Sequence, residues 1–132
     1  MSCIFCSIIK GDIPCYKIYE DENVLAFLDI ANDVEGHTLV VPKEHVADMN
    51  ECGEKLFATV MAAAKKLVDH FISLGYGGAN VIINCKPAAG QEVGHLHVHV
   101  LPRKEGDGAR VKIEHENKNA NLEEIAKKLR LN

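Results

Sequence analysis

The 132-residue chain has no excess of positive charge: 15 Lys and Arg stand against 19 Asp and Glu, for a net charge of −4. Without a basic footprint nucleic acid is not an expected partner, and any phosphate the chain binds must be recognised locally. It lacks any apolar run near the roughly 20 residues that a membrane span needs, so no membrane partner is expected. Met1 to Cys6 show no basic region followed by an apolar segment, so no signal peptide is expected. The five cysteines are an odd number. That argues against a disulfide framework and for a reducing compartment, the cytoplasm. Internal repeats and low-complexity segments are absent. What remains is ordinary for one globular domain with a sizeable core: 47% hydrophobic and 26% charged residues.

Against this background one stretch stands out. Gly94-His95-Leu96-His97-Val98-His99-Val100-Leu101-Pro102 holds three of the seven histidines, every second residue. That alternation is a strand period, which sends the three imidazoles to one face and Leu96, Val98 and Val100 to the other. Each imidazole brings two ring nitrogens that need partners, so a face of three is hard to explain as packing. A ligand explains it.

The elements around that strand are read from periodicity and punctuation. A short helix is expected over residues 4–9, ended by Gly11 and Pro14. Strands are expected over 17–19, 24–29 and 37–42, with a loop over 31–36. Leu56, Phe57, Val60, Met61, Ala64, Leu67, Val68, Phe71 and Ile72 follow helical spacing. They predict one long helix over 51–74, capped by Asn50 and Gly75. Strands over 79–84 and 95–101 flank a loop over 85–90. Residues 109–113 read as a strand or an extended arm, and 122–131 as an amphipathic helix capped by Asn121. Strands in runs with one long helix make an α+β fold with an antiparallel sheet of about five strands, a short N-terminal helix and a C-terminal helix.

Clustered imidazoles serve two chemistries. Three histidines can hold a metal, or one imidazole can attack phosphorus while its neighbours bind the phosphate oxygens. Cys3-x-x-Cys6 fits half of a zinc site, a redox pair or chance; no thioredoxin-like βαβ pattern surrounds it, and zinc needs two further ligands. Cys15, Cys52 and Cys85 read as small apolar residues.

The run His95-Leu96-His97-Val98-His99-Val100-Leu101 resembles the His-φ-His-φ-His-φ-φ motif of the histidine triad family, φ being apolar. Phe27-Leu28-Asp29-Ile30, Gly36-His37-Thr38-Leu39-Val40-Val41-Pro42-Lys43-Glu44-His45, Asn84, Ala89-Gly90-Gln91-Glu92-Val93 and Pro102-Arg103 fit the same family in order and spacing. The resemblance covers about residues 3–108. It divides the chain into a histidine triad domain, 1–108, and a C-terminal extension, 109–132, carrying the amphipathic helix.

The resemblance implies a nucleotide hydrolase or nucleotidyl transferase acting at the phosphate α to a nucleoside. It makes His97 the nucleophile, oriented by the His95 main chain, and His99 the acid toward the leaving group. His37 completes the phosphate cluster. Asn84, Gly90, Gln91 and Val93 are expected around the phosphate and leaving group, with backbone N–H donors from Gly90 and the loop after it. Asp29 is expected to accept from the ribose, and Ile4, Phe5, Ile8, Phe27 and Ile30 to wall the base pocket. A structural zinc is implied on Cys3, Cys6, His45 and His95, with no metal needed for the chemistry. A homodimer that pairs the long helices is implied as well.

Within the family, purine nucleoside phosphoramidases usually carry serine where this chain has Glu92, and animal members of that branch carry two glycines where it has Pro102-Arg103. A carboxylate near the substrate phosphate repels it, unless it accepts from a substrate amine or turns away. All three triad histidines are retained, which argues against a uridylyltransferase. The expected activity is hydrolysis of AMP– or GMP–amine phosphoramidates. The alternatives are a dinucleoside polyphosphate hydrolase and a non-catalytic nucleotide-binding or interaction protein.

Overall fold

The computed structural model describes residues 3–31 and 33–132; Met1, Ser2 and Asn32, the last in the loop expected over 31–36, lie outside the described residues. Ile4–Lys10 forms α1. Cys3 occupies its N-cap, the Sγ accepting from the Cys6 N–H at 3.4 Å, and Gly11 ends it in the left-handed conformation at φ 88°. Five strands follow: β1 Lys17–Glu20, β2 Val24–Leu28, β3 Thr38–Pro42, β4 Gly78–Ile82 and β5 Val98–Arg103. They form one antiparallel sheet in the order β1-β2-β3-β5-β4. The fold is α+β, and it is the histidine strand's place inside the sheet, between β3 and β4, that positions the site.

The sheet is covered on both faces. Val24, Ala26, Val40, Val98 and Val100 point to one face and pack on Val60, Ala64, Leu67 and Phe71 of the long helix α2, Glu54–Ser73. Leu25, Phe27, Leu39 and Val41 point to the other and pack on Phe5 of α1. Each well-buried Val or Leu here contributes about 1.5–3 kcal/mol. Because β5 alternates, burying Val98 and Val100 against α2 turns His97 and His99 toward the α1 face.

α2 starts later than the sequence predicts, at Glu54 and not Glu51. Asp48 Oδ1 accepts from the Glu51 N–H at 3.0 Å and the Cys52 N–H donates to Met49, so residues 48–52 close a turn of their own. Gly53, not Asn50, stands at the N-cap. The far end is a Schellman motif: the Gly75 N–H donates to Ile72, the Tyr76 N–H donates to Phe71, and Gly75 has φ 104°.

The histidine strand is also displaced. Residues 95–97, expected in the ladder, stay out of it, and β5 runs on through Pro102 to Arg103. On β3 the pairing ends with Val40 opposite Val98. Pro42 has no N–H to extend it, and its carbonyl accepts from His95 Nε2 at 2.9 Å. The Leu96 N–H leaves the sheet for the Val46 carbonyl. Pro102 lies beyond the β3 pairing, which begins with Thr38 opposite Val100, and stands opposite Ala79 of β4. Residues 109–113 form no strand. Leu122–Leu129 forms α3, shorter than the predicted 122–131, with Asn121 Oδ1 accepting from the Glu124 N–H at 3.2 Å.

Candidate active site

Pro42 shapes the site by ending the ladder. Where the backbone turns out of the sheet, the His95 ring meets Cys3, Cys6 and His45 while the His97 ring meets the cleft, and Phe5 of α1 packs edge-on against both. The His97 Nδ1–H donates to the His95 carbonyl at 2.7 Å. With that nitrogen committed, Nε2 carries the lone pair. His97 is 8% exposed and lines a cleft of about 310 Å³ between α1 and the sheet. Phe5 packs edge-on against its ring at 5.1 Å.

Behind His97 lies a chain of polar contacts. His99 also lines the cleft, and its Nδ1 is 2.9 Å from His37 Nε2. His37 Nδ1 is in turn 2.8 Å from Asp33 Oδ1. Asp29 Oδ2 is 3.7 Å from His37 Nε2, while the Asp29 N–H donates to the His37 carbonyl at 2.8 Å. Burial, followed by the neighbouring His97 and His37, pushes the His99 imidazole down to about 4. Burial works to raise the Asp33 carboxyl, but the His37 ring and the Val34 N–H outweigh it and hold it below its ordinary range.

Asp29, His37 and His99 lie close enough to suggest a second metal cluster. The 2.9 Å between the two ring nitrogens argues otherwise. Tetrahedral ligands about 2.1 Å from a metal sit about 3.4 Å apart, so this pair is spaced to share a proton.

The expected base-pocket residues Ile4, Phe5, Ile8, Phe27 and Ile30 line the cleft, as do Asp29 and Val93. Ile13, Pro14, Cys15, Tyr16, Leu28, Leu39 and Glu92 line it too. Leu39 was legible, since it shares strand parity with His37; Ile13 to Tyr16 sit in an unpatterned loop that gives no such signal. His37 is buried behind His99, outside the lining.

The loop before the triad departs from expectation. The Gly90 N–H donates to the Pro87 carbonyl and the Gln91 N–H to the Lys86 carbonyl, so neither is free for a substrate in this conformation. The Gln91 amide donates to the Ala47 and Val93 carbonyls, and its oxygen accepts from the Lys86 N–H at 2.7 Å. Gln91 therefore shapes the loop. Asn84 follows β4 and lies outside the cleft lining. Lys86 adopts φ 73° and ψ 160°, a conformation that costs a non-glycine residue about 1–3 kcal/mol. Its Nζ pairs with buried Asp48 at 2.8 Å, which straps this loop to the segment carrying His45. Nothing in the residue pattern flags Lys86 or Asp48.

At the start of the histidine stretch, Cys3, Cys6, His45 and His95 converge. Cys3 Sγ is 3.4 Å and Cys6 Sγ 3.6 Å from His95 Nδ1. Cys6 Sγ is 3.3 Å from His45 Nδ1, and the two Nδ1 atoms are 3.1 Å apart. Around zinc, donors about 2.0–2.3 Å from the metal stand about 3.3–3.8 Å from one another. The three spacings to sulfur fall in that range and the 3.1 Å between the Nδ1 atoms is about 0.2 Å short of it, so a small shift of the exposed His45 ring lets the residues present hold a Cys₂His₂ zinc. Protonation agrees: His95 Nε2–H donates to the Pro42 carbonyl, which leaves Nδ1 as the lone-pair nitrogen. Burial, above all, lowers the His95 imidazole, which favours the neutral ligand form.

A family model described as the HIT domain matches residues 10–106. A HIT-like protein of Methanocaldococcus jannaschii is 47% identical over 128 residues, 97% of this chain and 98% of that one. The adenosine 5′-monophosphoramidase of Schizosaccharomyces pombe is 46% identical over 103 residues, 78% of this chain and 75% of that one. Among solved structures, a zinc-bound histidine triad family protein from Mycobacterium smegmatis has a TM-score of 0.80 at 39% identity, covering 90% of this chain and 87% of that one.

Proposed function

This chain belongs to the histidine triad family of nucleotide hydrolases, and we propose that it cleaves purine nucleoside phosphoramidates at the α-phosphate through a nucleotidyl intermediate on His97. The observation that carries this reading is the His97 Nδ1 bond to the His95 carbonyl, which leaves a lone pair on Nε2 at the cleft. In the first step Nε2 bonds to phosphorus, the P–N bond breaks, and the leaving nitrogen takes a proton from His99. In the second step water bonds to phosphorus, the P–Nε2 pair returns to His97, and His99 receives the water's proton. AMP or GMP is the product. The apolar side chains from α1 and β2 take the base, and Asp29 accepts from the ribose. Splitting one displacement into two lower barriers is what a nucleophile provides.

Glu92 bears on the leaving group. It lines the same cleft as His97 and His99. A carboxylate there repels a polyphosphate and attracts a cationic amine, which favours phosphoramidates over dinucleoside polyphosphates. Turnover of an adenosine phosphoramidate and of a diadenosine polyphosphate separates these readings. Faster cleavage of the phosphoramidate supports the proposal. Faster cleavage of the polyphosphate refutes it, and tight AMP binding with neither cleaved points to a non-catalytic role.

The same reading places a structural zinc on Cys3, Cys6, His45 and His95, where it would cross-link the start of α1 to the triad and take no part in the reaction. The fit of the donor set supports it, as does the zinc-bound relative. Thiolate ligands and five unpaired cysteines suit a reducing compartment, which we take to be the cytoplasm. No helix among the described residues is long and apolar enough to cross a membrane. We further propose that residues 1–108 form the catalytic domain, that 109–132 form an extension, and that the protein is a homodimer.

A further inference from the structure

We propose that Asp33 is a positioning residue for this reaction: its carboxylate fixes the tautomer of His37 and, through it, the protonation of the His99 nitrogen that faces the leaving group. The proposal rests on the nucleotidyl-transfer reading above and deepens it.

Asp33, His37 and His99 form a chain along which the protons can be counted. An ionised carboxylate only accepts, so His37 Nδ1, 2.8 Å from Asp33 Oδ1, must carry a hydrogen. One hydrogen then lies between His37 Nε2 and His99 Nδ1, which are 2.9 Å apart. If the pair is neutral, that hydrogen belongs to His99 Nδ1 and the free His99 Nε2 is bare. It can accept the proton of an attacking water, but it has none to give. If the pair holds one more proton, His37 is doubly protonated and donates from Nε2 to His99 Nδ1. His99 Nε2 then carries a hydrogen for the departing amine. When that hydrogen leaves, the shared proton moves across to His99 Nδ1 and His37 returns to its neutral Nδ1–H form. The same pair is thus acid in the first step and base in the second.

Three groups face His37. Asp33 is bonded to it and Asp29 lies at 3.7 Å, while His99, the third neighbour, faces His97 in turn. His37 itself is only 6% exposed. Asp33 is its route outward: the Asp33 side chain is 52% exposed and lines a second surface cleft with Val34, Glu35, Tyr76, Pro102 and Lys104. None of His97, His99 or Asp29 lines that second cleft, so a nucleotide over the triad leaves this path to water open.

The test compares wild type with Asp33→Ala and Asp33→Glu. Imidazole ¹⁵N NMR on the substrate-free protein between about pH 5 and 9 reads the His37 tautomer. Steady-state kinetics on an adenosine phosphoramidate over the same range read kcat and KM. Asp33→Ala is expected to lose the Nδ1–H preference of His37 and to move the basic limb of the kcat profile about one pH unit lower, as loss of a neighbouring carboxylate does. At a pH above that limb kcat then falls about tenfold, with KM unchanged because Asp33 lies outside the lining of the cleft that holds His97 and His99. Asp33→Glu is expected to restore both. An unaltered His37 tautomer in Asp33→Ala overturns the proposal, and so does an altered tautomer with an unaltered kcat profile. If the tautomer responds but wild type cleaves no phosphoramidate, the positioning role of Asp33 stands and the functional reading fails.

Discussion

The His97 ring is aimed by the backbone of His95: Nδ1 donates to that carbonyl at 2.7 Å, and the ring has no other backbone acceptor among the described residues. Nε2 is the atom left to act. His97→Ala is therefore expected to lower kcat by about 10⁴-fold or more while AMP still binds, since the apolar walls of the cleft remain. Single-turnover kinetics beside calorimetric titration with AMP check this. Turnover within tenfold of wild type would remove His97 from its role.

Four donor atoms that converge without a metal would be a poor use of two thiols and two imidazoles. Protein purified without chelator should hold about one zinc per chain, and Cys3→Ser or His45→Ala should hold much less. Stripping the metal should cost about 2–3 kcal/mol, the linkage expected of a site near saturation. At about 4 °C per kcal/mol, that lowers the melting temperature by roughly 10 °C. Metal analysis and thermal melts before and after chelation decide the matter. A Cys3→Ser protein with undiminished zinc would point to other ligands.

Most of the fold was legible because it depends on period. The alternation through Val98 and Val100 and the helical spacing from Leu56 to Phe71 are one-dimensional records of burial against each other, while Ile72, on the same spacing, is 50% exposed. What escaped depends on partners distant in sequence or on geometry without a period. Pro42 stopped the ladder before His97 because its carbonyl turned to the His95 side chain, a contact between residues 53 apart. Asp33 reached His37 from within a loop, where spacing says nothing about direction. The motif named Gln91, but only its three backbone partners show that its amide is committed to the loop.

The buried state of His99 has a consequence for stability. Its imidazole is held at about 4, below the 6.5 of an exposed histidine. Between those values the unfolded chain binds a proton that the folded chain refuses, so stability rises with pH there. The contribution is complete above about pH 6.5 and is lost as pH falls through 4. Allowing for the solvent that reaches the ring, it is about 1–2 kcal/mol. Denaturant melts of wild type and His99→Asn between these pH values should show a shallower acid loss in the variant. Identical slopes would mean that other groups govern the acid limb.

Residues 109–132 are weakly tied to the rest of the chain. Leu122, Leu129 and Leu131 are 77, 71 and 97% exposed, and no residue of α3 is fully buried. The last tie to the domain core is near residue 109: Arg103 donates to the Ala109 carbonyl and pairs with Asp107, which accepts from the Ala109 N–H. A chain ending after Arg110 keeps all three bonds and loses only solvated turns and α3. It is expected to melt within about 2 °C of the full chain, because exposed residues contribute within about 0.5 kcal/mol. Its kcat on an adenosine phosphoramidate should be unchanged, since no residue past Ala109 lines either cleft beside the histidines. A large fall in both would mean that α3 packs on a second copy of the chain, and the extension would then belong to the catalytic unit.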